Sequence, residues 1–264
     1  MPDDRELFKG TARYYAKYRL GYPQFFFDHI ISAFNLDKNS RLLDLGTGTG
    51  QIAIPMAAHM KEVVAVDPEK EMLDEGKRQA EERGAENITW VQSEAEDISN
   101  ELGLFKVTTM GASFHWMEQD AVLEKVYGLT EDGGGVVIVA NISTIISNKG
   151  GDPWKDVARN TIKEFLGEKR RAGNSVYEAP KDRFEDILAR SKFSRFQTFN
   201  DTYKVYRSAD DIIGYLGSTS FASYRLFGNR MDEFKKTLTD RLLKLEPSGN
   251  FIETAVIEAY LGWK

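Results

Sequence analysis

The stretch LLDLGTGTGQIAIPMAAHMKEVVAVD, Leu42 to Asp67, decides how this chain folds. Its first residues, with Arg41, are a short apolar run that stops at a glycine, the pattern of a strand buried on both faces. Gly46, Gly48 and Gly50 follow at alternate positions. Without a Cβ they let the backbone turn sharply and approach a ligand closely. An Ala-rich helix is expected from about Gln51 to Met60. Pro55 lies inside it and lacks a backbone donor, so the spacing predicts a kink or a late start. EVVAVD is a second buried strand. Its final Asp67 stands about twenty residues after the turn, where a carboxylate can accept both hydroxyls of a ribose. A dinucleotide site asks for G-x-G-x-x-G, with a helix N-terminus facing pyrophosphate. Here the spacing is G-x-G-x-G, and Asp44 lies two residues before the first glycine. An acid there repels pyrophosphate and suits a cationic ligand carrying an ammonium and a sulfonium.

Outward from this stretch, strands and helices alternate. PQFFFDHIISAFN before it has apolar residues at helical spacing with Pro23 at the start. After it come a helix over PEKEMLDEGKRQAEERG, a strand at NITWVQS, a strand at FKVTTMGAS, a helix over QDAVLEKVYGLTEDGG and a strand at GVVIVAN. Such alternation predicts a parallel, doubly wound α/β sheet. It stops after residue 141. PWKDVARNTIKEFLGEKRR and DRFEDILARS read as helices with no strand between them. FSRFQTFNDTYKVYRS and the final FIETAVIEAYLGWK read as strands separated by helices. The expected architecture is a Rossmann-like, mostly parallel seven-stranded sheet with an antiparallel edge strand and a helical cap. One domain is expected over 1–264: a ligand-binding core over 1–140, a mainly cap or substrate-side insertion over 141–235, and the last helix and edge strand over 236–264.

Composition limits the function. The chain has 264 residues, a net charge of −6 and no cysteine. An acidic surface argues against nucleic-acid binding, which needs a basic face. The basic cluster GEKRRAG reads as a solvated helix end. The lack of cysteine removes disulfides, thiolate metal sites and a cysteine nucleophile, and suits a reducing cytoplasm. No signal-type segment or run of about eighteen apolar residues is present, so no membrane association is expected. The three histidines, His29, His59 and His115, are scattered without ligand spacing, so no metal site is expected.

LLDLGTGTG followed by VVAVDPEKEML resembles the class I S-adenosylmethionine-dependent methyltransferases. AEDI after the third strand, SFHWM after the fourth and YAKYRLGYP near the N-terminus sharpen the likeness toward the small-molecule branch that includes methyltransferase type 11 and trans-aconitate methyltransferase-like proteins. The resemblance covers residues 10–140 and weakens over 141–264. It implies S-adenosylmethionine as cofactor and S-adenosylhomocysteine as product. By position it implies that Gly46, Thr47, Gly48, Gly50 and Gln51 surround the methionine part. Asp44 holds the amino group, directly or through water. Asp67 binds the ribose, Pro68 packs beside the adenine, and Glu94 and Ala95 meet its edge. Glu94 departs from the family pattern, which has Asp or Asn there. Met110 and Gly111 lie beneath the sulfonium. Tyr18 and Arg19 close over the cofactor, Arg19 pairing its carboxylate.

The expected reaction is methyl transfer to a small-molecule acceptor, with oxygen first and nitrogen or carbon as alternatives. His115 is the candidate catalytic base, at the mouth of the site. It is read in preference as shaping the wall with Phe114 and Trp116, because methyl transfer often needs no base. GYLGSTSFASY, residues 214–224, is the expected substrate wall, and most of the cap aromatics Trp154, Phe165, Tyr177, Tyr215, Phe221, Tyr224 and Phe227 are expected to be ordinary core. A non-catalytic cofactor-binding or regulatory protein, a nucleic-acid methyltransferase and an NAD-dependent oxidoreductase are the rival readings.

Overall fold

The structure, a computed structural model, describes residues 12–141, 151–169, 171–172, 175–176 and 182–264. In chain order its elements are α1 (Ala12–Tyr18), α2 (Gln24–Phe34), β1 (Arg41–Leu45), α3 (Ala53–Ala57), β2 (Glu62–Asp67), α4 (Lys70–Glu82) and β3 (Ile88–Gln92). There follow β4 (Phe105–Gly111), α5 (Gln119–Gly128), β5 (Thr130–Asn141), α6 (Pro153–Leu166), β6 (Arg171–Ala172) and β7 (Ser175–Val176). The chain closes with α7 (Phe184–Arg190), β8 (Arg195–Ser208), α8 (Ala209–Gly217), α9 (Met231–Leu245) and β9 (Asn250–Trp263).

Seven strands form one sheet in the order β3-β2-β1-β4-β5-β9-β8. β1 pairs in parallel with β2 and β4, β2 with β3, and β4 with β5, while β9 runs antiparallel to β5. This is the Rossmann-like architecture expected from the sequence. Strand order reverses at β1, so a crevice opens beyond the carboxyl ends of β1 and β4, where ligands of such sheets bind.

Residues group into two compact units, each made of separate stretches of chain. The sheet-bearing unit comprises Gly21–Ile142, Pro180–Asn200 and Ile257–Lys264. Its core has two layers because successive strand side chains point to opposite faces. Leu42, Val63, Ala65, Val107 and Val137 meet Phe26, Phe27, Ile30 and Phe34 of α2 and Met56 of α3. Leu43, Leu45, Val64, Val66, Met110 and Ile138 meet Val122, Leu123 and Val126 of α5 and Ile187 and Leu188 of α7. Each fully buried Val, Leu, Ile, Phe or Met side chain among these contributes about 1.5–3 kcal/mol of transfer free energy. Both faces being covered is why the strands read as unbroken apolar runs.

The second unit comprises Met1–Leu20, Ser143–Ala179 and Asp201–Val256. Trp154, Ala158, Ile212, Tyr215, Leu216, Phe227, Phe234, Leu238 and Leu242 form its core. Phe227 stacks on Phe234 with centroids 4.0 Å apart, and Phe165 meets Phe234 edge-on at 5.4 Å. Ser208 and Asp211 form a reciprocal capping box at the start of α8.

Four local expectations are corrected. The helix after the glycine turn is only Ala53–Ala57. A start at Ala53 puts Pro55 within the first turn, where a missing N–H goes unused. The helix after Asp67 starts at Lys70, with Glu69 and not Pro68 next to it. Between α6 and α7, where no strand is expected, β6 pairs antiparallel with β7, Arg171 opposite Val176. α6 stops at Leu166 with Gly167 as its C-cap, so the basic cluster does not extend that helix. Tyr177 lies outside the described residues. Among the described residues no helix is long and apolar enough to cross a membrane.

Candidate functional site

The site is built at the carboxyl ends of β1, β2 and β4 in the sheet-bearing unit. Gly46, Gly48 and Gly50 all have positive φ, at 65°, 56° and 81°. At Gly46 a Cβ would run into the side chain of Ser113, and at Gly50 it would lie 2.8 Å from the Trp90 ring. Both positions therefore need glycine for conformation and for space. The turn is held by backbone bonds: Thr47 N–H donates to Val66 O at 3.0 Å and Gly50 N–H to Thr47 O at 2.9 Å.

Two carboxylates fix the turn to its strands. Asp67 Oδ2 accepts from Gly48 N–H at 2.8 Å and Oδ1 accepts from Glu69 N–H at 2.9 Å. It thus joins the glycine turn to the β2–α4 turn and keeps lone pairs on both oxygens for a ligand. Burial raises its pKa, the two N–H donors pull it down, and the charge of Glu94 raises it again. Asp44 is 1% exposed. Its Oδ2 accepts from Thr47 Oγ1 at 2.6 Å and its Oδ1 from Thr109 Oγ1 at 2.7 Å. Burial pushes its pKa up to about 6, against the hydroxyl donors and with a contribution from the charge of Asp67. Asp44, Asp67 and Glu94 thus give the turn an acceptor-rich, negative lining. It is a poor seat for pyrophosphate and a good one for hydroxyls and cations.

The residues expected after β3 form a 3-10 turn, Ala95–Asp97, with Glu94 as its N-cap. Ala95 is buried and Glu94 is exposed. Lys125 of α5 anchors this turn by donating to the carbonyls of Glu96 at 2.5 Å and Ile98 at 3.1 Å. Met110 is fully buried, and Gly111 ends β4. Pro68 O accepts from Gln92 Nε2 at 3.1 Å. Gln51 is partly buried in the turn.

His115 sits on a 3-10 turn, Phe114–Trp116, just beyond β4. Its ring is 4.7 Å from that of Trp116. Phe114 is core and not wall: it is fully buried and meets Phe184 edge-on at 5.2 Å. Tyr18 and Arg19 belong to the helical unit, together with Ser218 and Gly214. Arg19 donates through Nε to Ser218 Oγ at 3.0 Å and through Nη2 to Ser218 O at 3.2 Å, and Tyr18 packs on Gly214. Much of residues 214–224 is core of that unit, with Leu216 and Ser218 fully buried and Thr219 1% exposed.

Sequence reasoning missed Tyr22, Thr109, Ser113 and Met117. Tyr22 Oη lies 2.6 Å from where a Cβ of Gly111 would stand, and Met117 Cε 3.4 Å from that of Gly46. Ser113 Oγ donates to Leu45 O at 2.8 Å. Only the glycines themselves signalled that neighbours press on these positions. Among the described residues no group of three or more His, Asp or Glu is arranged to hold a metal ion.

Comparison with known proteins agrees with this geometry. The family model described as a methyltransferase domain matches residues 42–134, from β1 into β5. A Dictyostelium discoideum protein named as a methyltransferase is 24% identical over 242 residues, covering 89% of this chain and 85% of its own. A methyltransferase-like protein of Schizosaccharomyces pombe is 30% identical over 139 residues, 52% of each chain, so there the match spans about half of the relative's length. In fold, a solved structure from Anaeromyxobacter dehalogenans, named as a candidate type II methyltransferase, superposes with a TM-score of 0.59. It is 19% identical, and the match covers 93% of this chain and 97% of that one. Residues 42–134 thus match a methyltransferase domain, and the chain is similar to proteins named as methyltransferases and shares the fold of a solved structure so named.

Proposed function

We propose that this chain transfers the methyl group of S-adenosylmethionine to a small-molecule acceptor, with oxygen the first choice and nitrogen or carbon as alternatives, and releases S-adenosylhomocysteine. The observation that carries this reading is the seat of Asp67, whose two oxygens are oriented by Gly48 N–H and Glu69 N–H at the end of β2. A carboxylate oriented this way accepts well from a vicinal diol. The cradle fits the cofactor in two further respects: it has no Cβ at Gly46, Gly48 or Gly50, and its charged groups are acceptors only.

When bound, the sulfonium supplies an already electrophilic methyl group, so the chain's own task is orientation and exclusion of water. In this reading Asp67 binds the ribose and Pro68 lies beside the adenine. Glu94 takes the adenine amine and Ala95 N–H a ring nitrogen. Gly46, Thr47, Gly48, Gly50 and Gln51 line the methionine part, and Met110 and Gly111 support the sulfonium from below. Asp44 acts through its field and by holding Thr47, since both of its oxygens already accept from hydroxyls. The net charge of −6 supports a small acceptor over nucleic acid.

Calorimetric titration with S-adenosylhomocysteine, with NAD as control, tests the reading on wild type and Asp67→Ala. Micromolar binding of S-adenosylhomocysteine alone, weakened by roughly 100-fold in the variant, is expected from the loss of a charged acceptor. Preference for NAD, or no binding by wild type, would sink it.

A further inference from the structure

Two strand ends make the floor of the crevice in the sheet-bearing unit. β1 and β4 pair with Leu42 level with Val107 and Asp44 level with Thr109. Carried two residues further, that register sets Gly46, the first glycine of the turn, beside Gly111, the last residue of β4. Both positions lack a Cβ and both are pressed by neighbours. Ser113 and Met117 Cε stand against Gly46. At Gly111, Tyr22 Oη and Ile52 Cδ1 lie 2.6 and 2.7 Å from where a Cβ would be. All six residues belong to the same unit.

Two hydroxyl oxygens therefore border the glycine pair, and they differ. The Ser113 hydroxyl is turned to the strand, donating to Leu45 O at 2.8 Å. Tyr22 Oη has two lone pairs beside its single donor, so it can accept wherever its proton points. Its ring is fixed in place. Tyr22 is 9% exposed, stacked on Phe26 at 5.3 Å and edge-on to Phe27 at 6.2 Å. Filling that space asks only for the ring, which phenylalanine supplies equally well. The hydroxyl adds a rigidly held acceptor against a glycine, next to the apolar tip of Ile52.

We propose that Tyr22 is a methyl-contact residue, whose Oη accepts C–H···O contacts from the sulfonium methyl of S-adenosylmethionine and so orients it. The inference rests on the cofactor reading above. A methyl bound to a sulfonium carries positive charge on its hydrogens, which makes it a stronger donor than an ordinary C–H. S-adenosylhomocysteine has neither the methyl nor the charge. The contact therefore acts on one ligand and not on the other.

Calorimetry with both ligands at pH 7.5 on wild type, Tyr22→Phe and Ile52→Val tests it. Tyr22→Phe keeps the ring and its stacking, and its thermal midpoint checks folding. It is expected to weaken S-adenosylmethionine about three- to tenfold relative to S-adenosylhomocysteine. Ile52→Val trims the neighbouring wall without touching an oxygen and is expected to leave the ratio of the two affinities unchanged. A merely structural Tyr22 would shift both ligands alike or neither. Proton resonance of S-adenosylmethionine carrying an isotope-labelled methyl gives a second readout on wild type itself. Bound to wild type, the methyl signal is expected downfield of its free position, and in Tyr22→Phe it should move back upfield.

An unmoved affinity ratio in Tyr22→Phe, an equal change in Ile52→Val, or a wild-type methyl signal without a downfield shift overturns the contact. Wild type that binds neither ligand brings down the cofactor reading, and this inference with it. Binding of both ligands with an unmoved ratio brings down the role of Tyr22 alone.

Discussion

Thr109 Oγ1 donates to Asp44 Oδ1 at 2.7 Å, a bond between residues 65 apart in sequence. It forms because the parallel register of β1 and β4 sets Asp44 beside Thr109. This buried pair, with Thr47, ties the first glycine turn to the strand whose end lies under the candidate reaction centre.

Asp44 gives the protein a defined pH response. Its folded pKa of about 6 exceeds the ordinary aspartate value of 3.8. The folded state therefore binds the proton more tightly than the unfolded one. The associated stability is fully present below about pH 4 and is lost as pH rises through about 6, on the order of 2–3 kcal/mol in all. Asp44→Asn keeps the shape, and the two threonine hydroxyls can rotate to suit the amide. Denaturant unfolding of both proteins between pH 4 and 7 is expected to show a pH-dependent difference confined to that window. A constant difference would contradict the raised pKa.

The same titration acts on cofactor binding with the opposite sense. A cationic ligand favours ionised Asp44, so affinity for S-adenosylmethionine should fall as pH drops through about 6. In Asp44→Asn that part of the pH dependence should vanish. Calorimetry at pH 5 and 7.5 checks it.

Gly46→Ala should destabilise by about 2–4 kcal/mol, because φ of 65° is strained for alanine and the new Cβ meets Ser113. Ser113→Gly removes the steric part and leaves the strain. The double variant is therefore expected to recover part of the loss. Strict additivity in the double-mutant cycle would refute the contact.

Gly111→Ala should disturb the end of β4, because Tyr22 Oη and Ile52 Cδ1 occupy the space of its Cβ at 2.6 and 2.7 Å. Tyr22 is held from behind by Phe26, stacked at 5.3 Å. Tyr22→Phe in the Gly111→Ala background is expected to restore about 1 kcal/mol or more by removing the nearest atom. Unfolding of the two single variants and the double variant measures it.

His115→Ala separates base from wall. If the ring only lines the site, kcat/KM falls less than about tenfold and the pH–rate profile keeps its shape. General-base catalysis would instead lose on the order of 100-fold or more together with an ionisation near neutral pH.

Much of the sheet-bearing unit was legible because its signals are local. Apolar runs ending at Gly46 and Asp67 marked β1 and β2, and backbone chirality makes positive φ favour glycine wherever the chain folds. Pro55 announced the late start of α3. The helix boundaries and the β6–β7 pair were not legible, since a two-residue strand carries no periodicity. Tyr22 and Ser113 were equally silent, as nothing in their own sequence neighbourhoods says which glycine they press against.

By itself the sequence determined the alternating α/β order, the three-glycine cradle and the acid at the end of the second strand. Those depend on spacing along one segment and on the steric limits of single residues. The tertiary structure alone decided that Asp44 is enclosed by Thr47 and Thr109, that Phe114 is core, and that Arg19 keeps company with Ser218 and Tyr215. Those facts arise from strand register and from packing between residues far apart in the chain. Hydrogen bonds and burial depend on distance in space, which local pattern does not encode.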